Sequence, residues 1–152
     1  MRIIDLLKKD SIALNVKVSN KQEAVDTLVD LMDKSGNLKN KEIYKKAVLD
    51  REELSSTGIG DGIAIPHGKT EAVTRAGLSS MVVKDGVDYD SLDGEPAKLF
   101  FMIAAPKEAD NLHLEVLARL STMLMDGDFK EQLINAKSVD EYLKLINDKE
   151  KE

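Results

Sequence analysis

One stretch constrains the fold more than any other: Lys98-Leu-Phe-Phe-Met-Ile-Ala-Ala105 is apolar at every position after its opening lysine. A strand with one wet face alternates apolar and polar residues, so a strand this uniformly apolar must be covered on both faces. The sheet that contains it therefore needs helices above and below, which places the chain in the α/β class as a layered domain. The apolar run Leu99 to Pro106 is also far too short to span a bilayer as a helix.

The rest of the chain supplies those helices. Ile12, Leu14, Val16 and Val18 alternate with more polar neighbours, the period of a half-buried strand over 12–18. Ser19 followed by Gln22 then predicts a capping box opening a helix with the stripe Ala24, Val25, Leu28, Leu31, Met32, stopped at Gly36. A second helix is expected over 40–54, with Ile43, Ala47 and Val48 inward and Arg51 near its C-terminal end, where positive charge suits the dipole. Residues 55–70 predict a loop, a short strand at Ile63-Ala64-Ile65 and another loop. Strands follow at 78–83 and 98–105, with a turn at Asp93-Gly94 between them. Beyond them come helices from Asp110 with Leu114, Leu117, Leu120 and Leu124 inward, over 129–136, and over 139–146 behind a capping box of Ser138 and Glu141. At 152 residues this is one domain, expected over 1–147, with the charged tail 148–152 frayed.

Composition narrows the chemistry. Twenty-two Lys and Arg against 28 Asp and Glu give a net charge of -6, and basic residues never run beyond two together. Binding to nucleic acid needs a clustered basic footprint, which this chain lacks. With no cysteine, thiol nucleophiles and thiolate metal sites are excluded. The charged N-terminal stretch has no signal-peptide character, so a cytoplasmic protein is expected.

Only two histidines occur, His67 and His113, and each falls at the end of an expected element. His67 follows Ile-Ala-Ile-Pro and precedes Gly68; upstream, Gly58-Ile59-Gly60-Asp61-Gly62 offers backbone N–H groups that could cradle an anion. Gly68-Lys69-Thr70 is not a Walker loop, because five residues including Pro66 separate it from Gly62. Nor is the glycine run a dinucleotide fingerprint, since Ile63 to Pro66 cannot open a helix after it. A histidine, an anion-binding loop and an arginine without a nucleotide motif fit phosphoryl transfer to imidazole. A neutral ring is a ready nucleophile, and the remaining work is positioning and charge stabilisation.

The run REELSSTGIGDGIAIPHGKTEAV from Arg51 to Val73 resembles the phosphorylation-site signature of the fructose/mannitol class of enzyme IIA domains of the phosphoenolpyruvate-dependent sugar phosphotransferase system. The segment NLHLEVLARLS, from Asn111 to Ser121, resembles the family's second histidine segment, and VDYDSLDGEPAKLFFMIAAP between them is also similar. The likeness covers nearly the whole chain. It implies a mixed β-sheet flanked by helices on both faces, and no cofactor. It makes His67 the phosphorylated residue, charged by the phosphohistidine of HPr and discharged to a cysteine of enzyme IIB, which is coupled to the membrane enzyme IIC. His113 would donate a hydrogen bond to the phosphoryl group or the first ring, Arg51 would neutralise phosphate charge, and Asp61 would help orientation. The motif is closer to the fructose branch, although the nitrogen-regulatory branch shares most of it. A metallohydrolase using His67, His113 and Asp61 is the rival from another class.

Overall fold

The computed structural model describes residues 2–152. In chain order the elements are α1 (Ile3–Leu6), β1 (Leu7–Ala13), α2 (Lys21–Lys34), α3 (Lys41–Leu54), β2 (Gly58–Gly60), β3 (Ile63–Ala64), β4 (His67–Thr70), β5 (Gly77–Val87), β6 (Ala97–Pro106), α4 (Leu112–Leu124), α5 (Gly127–Ile134) and α6 (Val139–Glu150).

The apolar run is β6, and it lies inside the sheet, antiparallel to β5 on one edge and parallel to β3 and β4 on the other. The strand order is β1-β5-β6-β3-β2, with β4 continuing the β3 edge. Side chains of β6 alternate between two cores. Leu99, Phe101 and Ile103 join the cluster under α1, α4, α5 and α6, whereas Phe100, Met102 and Ala104 join the one under α2 and α3. Helices thus cover both faces, as the uniform apolarity required.

Several boundaries differ from expectation, each for a physical reason. The first strand begins at Leu7 and ends at Ala13, because Asn15 turns the chain with φ of 60°. It is hidden in the sequence by a bulge between Leu7 and Ile12 that leaves Lys8, Lys9 and Asp10 exposed. The cap of α2 is Asn20, whose side chain accepts from Glu23 N, while the Glu23 carboxylate accepts from Ser19 N. The box therefore lies one residue later than Ser19 and Gln22 suggested. In α3 it is Tyr44 and Val48 that are buried, and Ile43 is exposed.

Leu114 of α4 is also exposed, and Val116, Leu120, Met123 and Leu124 form the buried face. Steps of three residues drift around a helix: six residues at 3.6 per turn set Leu114 and Leu120 about 120° apart, too far for one stripe. The tail expected to fray is instead helical through Glu150. The Glu150 carboxylate accepts from Ile3 N at 2.8 Å and Ile4 N at 2.9 Å, and pairs with Arg119 at 3.2 Å. It fills orphan donors at the start of α1.

The β3–β4 edge positions the site. Both strands keep one register along β6, with Ala64 opposite Phe100 and His67 opposite Ile103. Ile65 and Pro66 interrupt them: Pro66 has no N–H to give, and Ile65 N turns away to Thr57 O at 3.0 Å. What the sequence suggested as a second loop is therefore strand β4, and His67 is its first residue.

Candidate functional site

Because His67 opens a sheet-edge strand, its ring cannot swing freely. It is buried, and its Nδ1 lies 3.1 Å from the carbonyl oxygen of Ile65, two residues back across the break. A backbone carbonyl only accepts, so Nδ1 carries the hydrogen and Nε2 keeps its lone pair. Burial lowers the pKa of the ring, and the Arg51 charge lowers it further, against the opposing pull of the Ile65 bond and of Glu52. The ring is therefore neutral at cellular pH.

Around it lies a cavity of about 550 Å³ between the last turn of α3 and the first turn of α4. Its walls include His67, Gly68, Lys69, Arg51, His113 and Leu114. Gly68 brings α3 close: a Cβ there would stand 3.1 Å from both Tyr44 and Val48. Arg51, one turn further along α3, donates from Nη1 to Ser55 O at 3.0 Å. Lys69 shares the face of His67, two residues along the strand, and its Nζ donates to Asp110 O.

His113, in the first turn of α4, sets its ring centroid 6.0 Å from that of His67 at a tilt of 36°. Its Nδ1 is buried without a protein partner. Burial, then the neighbouring His67 and Lys69, lower its pKa. In a chain of net charge -6, this pocket gathers Arg51 and Lys69 about a bare ring nitrogen, with Asp50 as its single lining acid. It suits an anion delivered to Nε2.

His67, His113 and Arg51 are thus brought together, and Asp61 is not. Asp61 lines a separate cavity, where its N–H donates to Asp93 Oδ2 at 2.9 Å and Lys130 Nζ meets its carboxylate at 3.3 Å. The expected glycine cradle is absent from the pocket as well. Gly58 and Gly60 instead admit close contact with Ser91 and Asp93, a Cβ on Gly58 meeting Ser91 Oγ at 2.5 Å. With Asp61 elsewhere, the triad of the metallohydrolase reading does not assemble; among the described residues no group of three or more His, Cys, Asp or Glu could hold a metal ion. Sequence reasoning missed Lys69, Leu54, Leu114 and Leu117 as pocket residues. Period-two spacing from His67 was the available signal for Lys69. No described helix is long and apolar enough to cross a membrane.

Fold and pocket together define an α/β domain built around a buried, neutral histidine in a cationic pocket. Residues 5–149 match the family Phosphoenolpyruvate-dependent sugar phosphotransferase system, EIIA 2, and the chain belongs to that family of phosphotransferase components. It is 49% identical over 151 residues to the PTS system fructose-specific EIIABC component of Bacillus subtilis (strain 168), covering 99% of this chain and 24% of that protein. The chain thus spans about a quarter of that relative's length. Among solved structures, the Nitrogen Regulatory Protein IIA-Ntr from Neisseria meningitidis superposes with a TM-score of 0.87 at 29% identity, over 95% of this chain and 98% of that one. The complex of enzyme IIAMTL and phosphorylated enzyme IIBMTL from Escherichia coli gives 0.81 at 32% identity, over 94% and 99%.

Proposed function

We propose that His67 accepts a phosphoryl group on Nε2 from the phosphohistidine of HPr and passes it to a cysteine of enzyme IIB, coupled in turn to a membrane enzyme IIC for uptake of a fructose-type sugar. The observation that carries this reading is the His67 Nδ1 contact with Ile65 O at 3.1 Å, which leaves Nε2 unprotonated inside a cationic pocket.

In the first step the Nε2 lone pair forms a bond to phosphorus while the donor's N–P bond breaks, its electron pair staying on the donor ring nitrogen. His67 keeps its Nδ1 hydrogen, so the phosphorylated ring gains positive charge and its bond to Ile65 O becomes charge-assisted. Arg51 and Lys69 offset the charge on the phosphoryl oxygens, and His113 donates a ring N–H to one of them. In the second step a thiolate attacks phosphorus, the N–P bond breaks and its pair returns to Nε2. The ring is then restored as the same neutral tautomer. Leu54 and Leu114 stand exposed at the rim, which suits coverage by a protein partner that excludes water during transfer.

Fructose is supported by the 49% identity to the Bacillus subtilis component and IIB by the mannitol complex; both are properties of those proteins and are extended here to this chain. The overlay of 0.87 on a nitrogen regulatory protein favours a second reading, in which the phosphohistidine controls protein binding. Incubation with phosphoenolpyruvate, enzyme I and HPr, followed by intact mass at alkaline pH, tests acceptance. One added phosphoryl group in wild type and none in His67→Ala is the expected result; equal uptake by both would sink the assignment. Loss of that group to a IIB cysteine separates carrier from regulator.

A further inference from the structure

We infer that Glu52 is a positioning residue for the phosphoryl acceptor: its buried carboxylate locks Thr57, and Thr57 in turn fixes the backbone carbonyl that holds the His67 ring in one tautomer. The inference rests on His67 being the acceptor and adds a residue that never touches the ring.

The contacts form an unbroken relay. Glu52 belongs to the last turn of α3, and its side chain is 4% exposed. One carboxylate oxygen, Oε1, accepts from Thr57 N at 3.1 Å and faces Lys21 Nζ at 3.0 Å. The other, Oε2, accepts from the Thr57 hydroxyl. Thr57 O accepts from Ile65 N at 3.0 Å, and Ile65 O accepts from His67 Nδ1 at 3.1 Å. Thr57 O holds Ile65 by its N–H, and the Ile65 carbonyl on the other side of the same Cα holds the ring, so a rotation at Thr57 passes through Ile65 to the His67 contact. The same relay closes the loop after α3, whose Ser55 carbonyl receives Arg51 Nη1 at 3.0 Å. One carboxylate thereby steadies both the nucleophile and the phosphate-facing guanidinium.

A plain loop closure does not call for this residue. A carboxylate in the last turn of a helix meets the negative end of the dipole, and burying it costs free energy that its partners must offset. Lys21 supplies part of that offset, with its Nζ also 4.7 Å from the centre of the Tyr89 ring. Two acceptor oxygens and a full charge serve the Thr57 N–H, the Thr57 hydroxyl and the Lys21 ammonium together; an amide would have to turn the Thr57 hydroxyl into an acceptor and would leave Lys21 without its counter-charge. The Glu52 charge also acts on the His67 ring in the direction that favours extra positive charge there, the state the ring enters when phosphorylated.

The test uses full-length Glu52→Gln and Thr57→Val, with Glu150→Gln as control: another buried carboxylate with two hydrogen-bond donors, here the N–H groups of Ile3 and Ile4, beside α1 rather than at the pocket. The imidazole nitrogen shifts of His67 are read by NMR at about pH 8, where the ring is neutral, and acceptance from phospho-HPr is timed. Wild type is expected to show one tautomer with hydrogen on Nδ1. Both brace variants are expected to show the two nitrogen shifts drawn together by tautomer exchange, and acceptance slowed about fivefold or more, as misplacement of a reacting group does. Glu150→Gln is expected to melt earlier while keeping the wild-type tautomer and rate. Should Glu52→Gln not fold, Thr57→Val carries the test. A wild-type tautomer or a wild-type rate in the brace variants overturns the inference, as does an equal tautomer change in Glu150→Gln. A wild type that holds the single tautomer yet takes no phosphoryl group would instead overturn the phosphocarrier reading.

Discussion

Lowering the pH probes the buried ring on which the account depends. Burial is the largest influence on His67 and lowers its pKa, and the Arg51 charge acts in the same direction. A base whose folded pKa lies below its unfolded value of about 6.5 binds fewer protons folded than unfolded as the solution is acidified. Its contribution to stability is complete above about pH 6.5, is lost as the pH falls from there to the folded pKa, and stays constant below that point. Within this window the slope for one such ring is up to about 1.4 kcal/mol per pH unit. With a urea dependence of about 2 kcal/mol/M, the unfolding midpoint should fall by up to about 0.7 M per pH unit. His113, also lowered by burial, adds the same sign, weakened by its partial exposure. Urea titrations of wild type and His67→Gln from about pH 8 to about pH 5 isolate the His67 part. The stability difference should be level above about pH 6.5 and move against wild type below it. With the neutral ring as the proposed nucleophile, acceptance from phospho-HPr should also hold its rate to below about pH 6.5. A difference that stays flat throughout, or that favours wild type at low pH, would refute the argument that burial sets the charge of this ring.

Two further perturbations act on the walls of the pocket. Arg51→Lys keeps the charge but loses the planar fork that can grip two phosphate oxygens, and should slow acceptance by about tenfold to a hundredfold at nearly unchanged melting temperature; a wild-type rate would make Arg51 a surface charge. Leu114→Gln removes apolar surface from the exposed rim without bringing charge to the pocket, and should raise the HPr concentration needed for half-maximal transfer while the His67 tautomer stays that of wild type; an unchanged concentration dependence would take Leu114 out of the partner surface.

The sheet was legible because β6 has no polar face to hide, and the two histidines because each stands alone at an element end. The site itself was only partly legible. The Gly58 to Gly62 run has the composition of an anion cradle, yet Gly58 and Gly60 are used for contacts with Ser91 and Asp93, which arrive from more than thirty positions away, far outside the window that a local pattern reads. Asp61 follows the same logic: its partners, Asp93 and Lys130, draw it out of the pocket. Lys69 was hidden because residues after Pro66 look like loop, and only pairing with β6 makes them a strand with His67 and Lys69 on one face. Glu52 carries no local mark of burial, because Thr57 and Lys21, which close over it, come from outside its helix.

The central claim is that His67 receives the phosphoryl group on Nε2, because Nδ1 is committed to Ile65 O at 3.1 Å. Phosphorylating uniformly nitrogen-15-labelled protein with phospho-HPr and reading the phosphorus coupling to the imidazole nitrogens tests it directly. The account predicts a phosphorus-coupled Nε2 on His67 and a protonated Nδ1; coupling to Nδ1, or a phosphorylated His113, would contradict it.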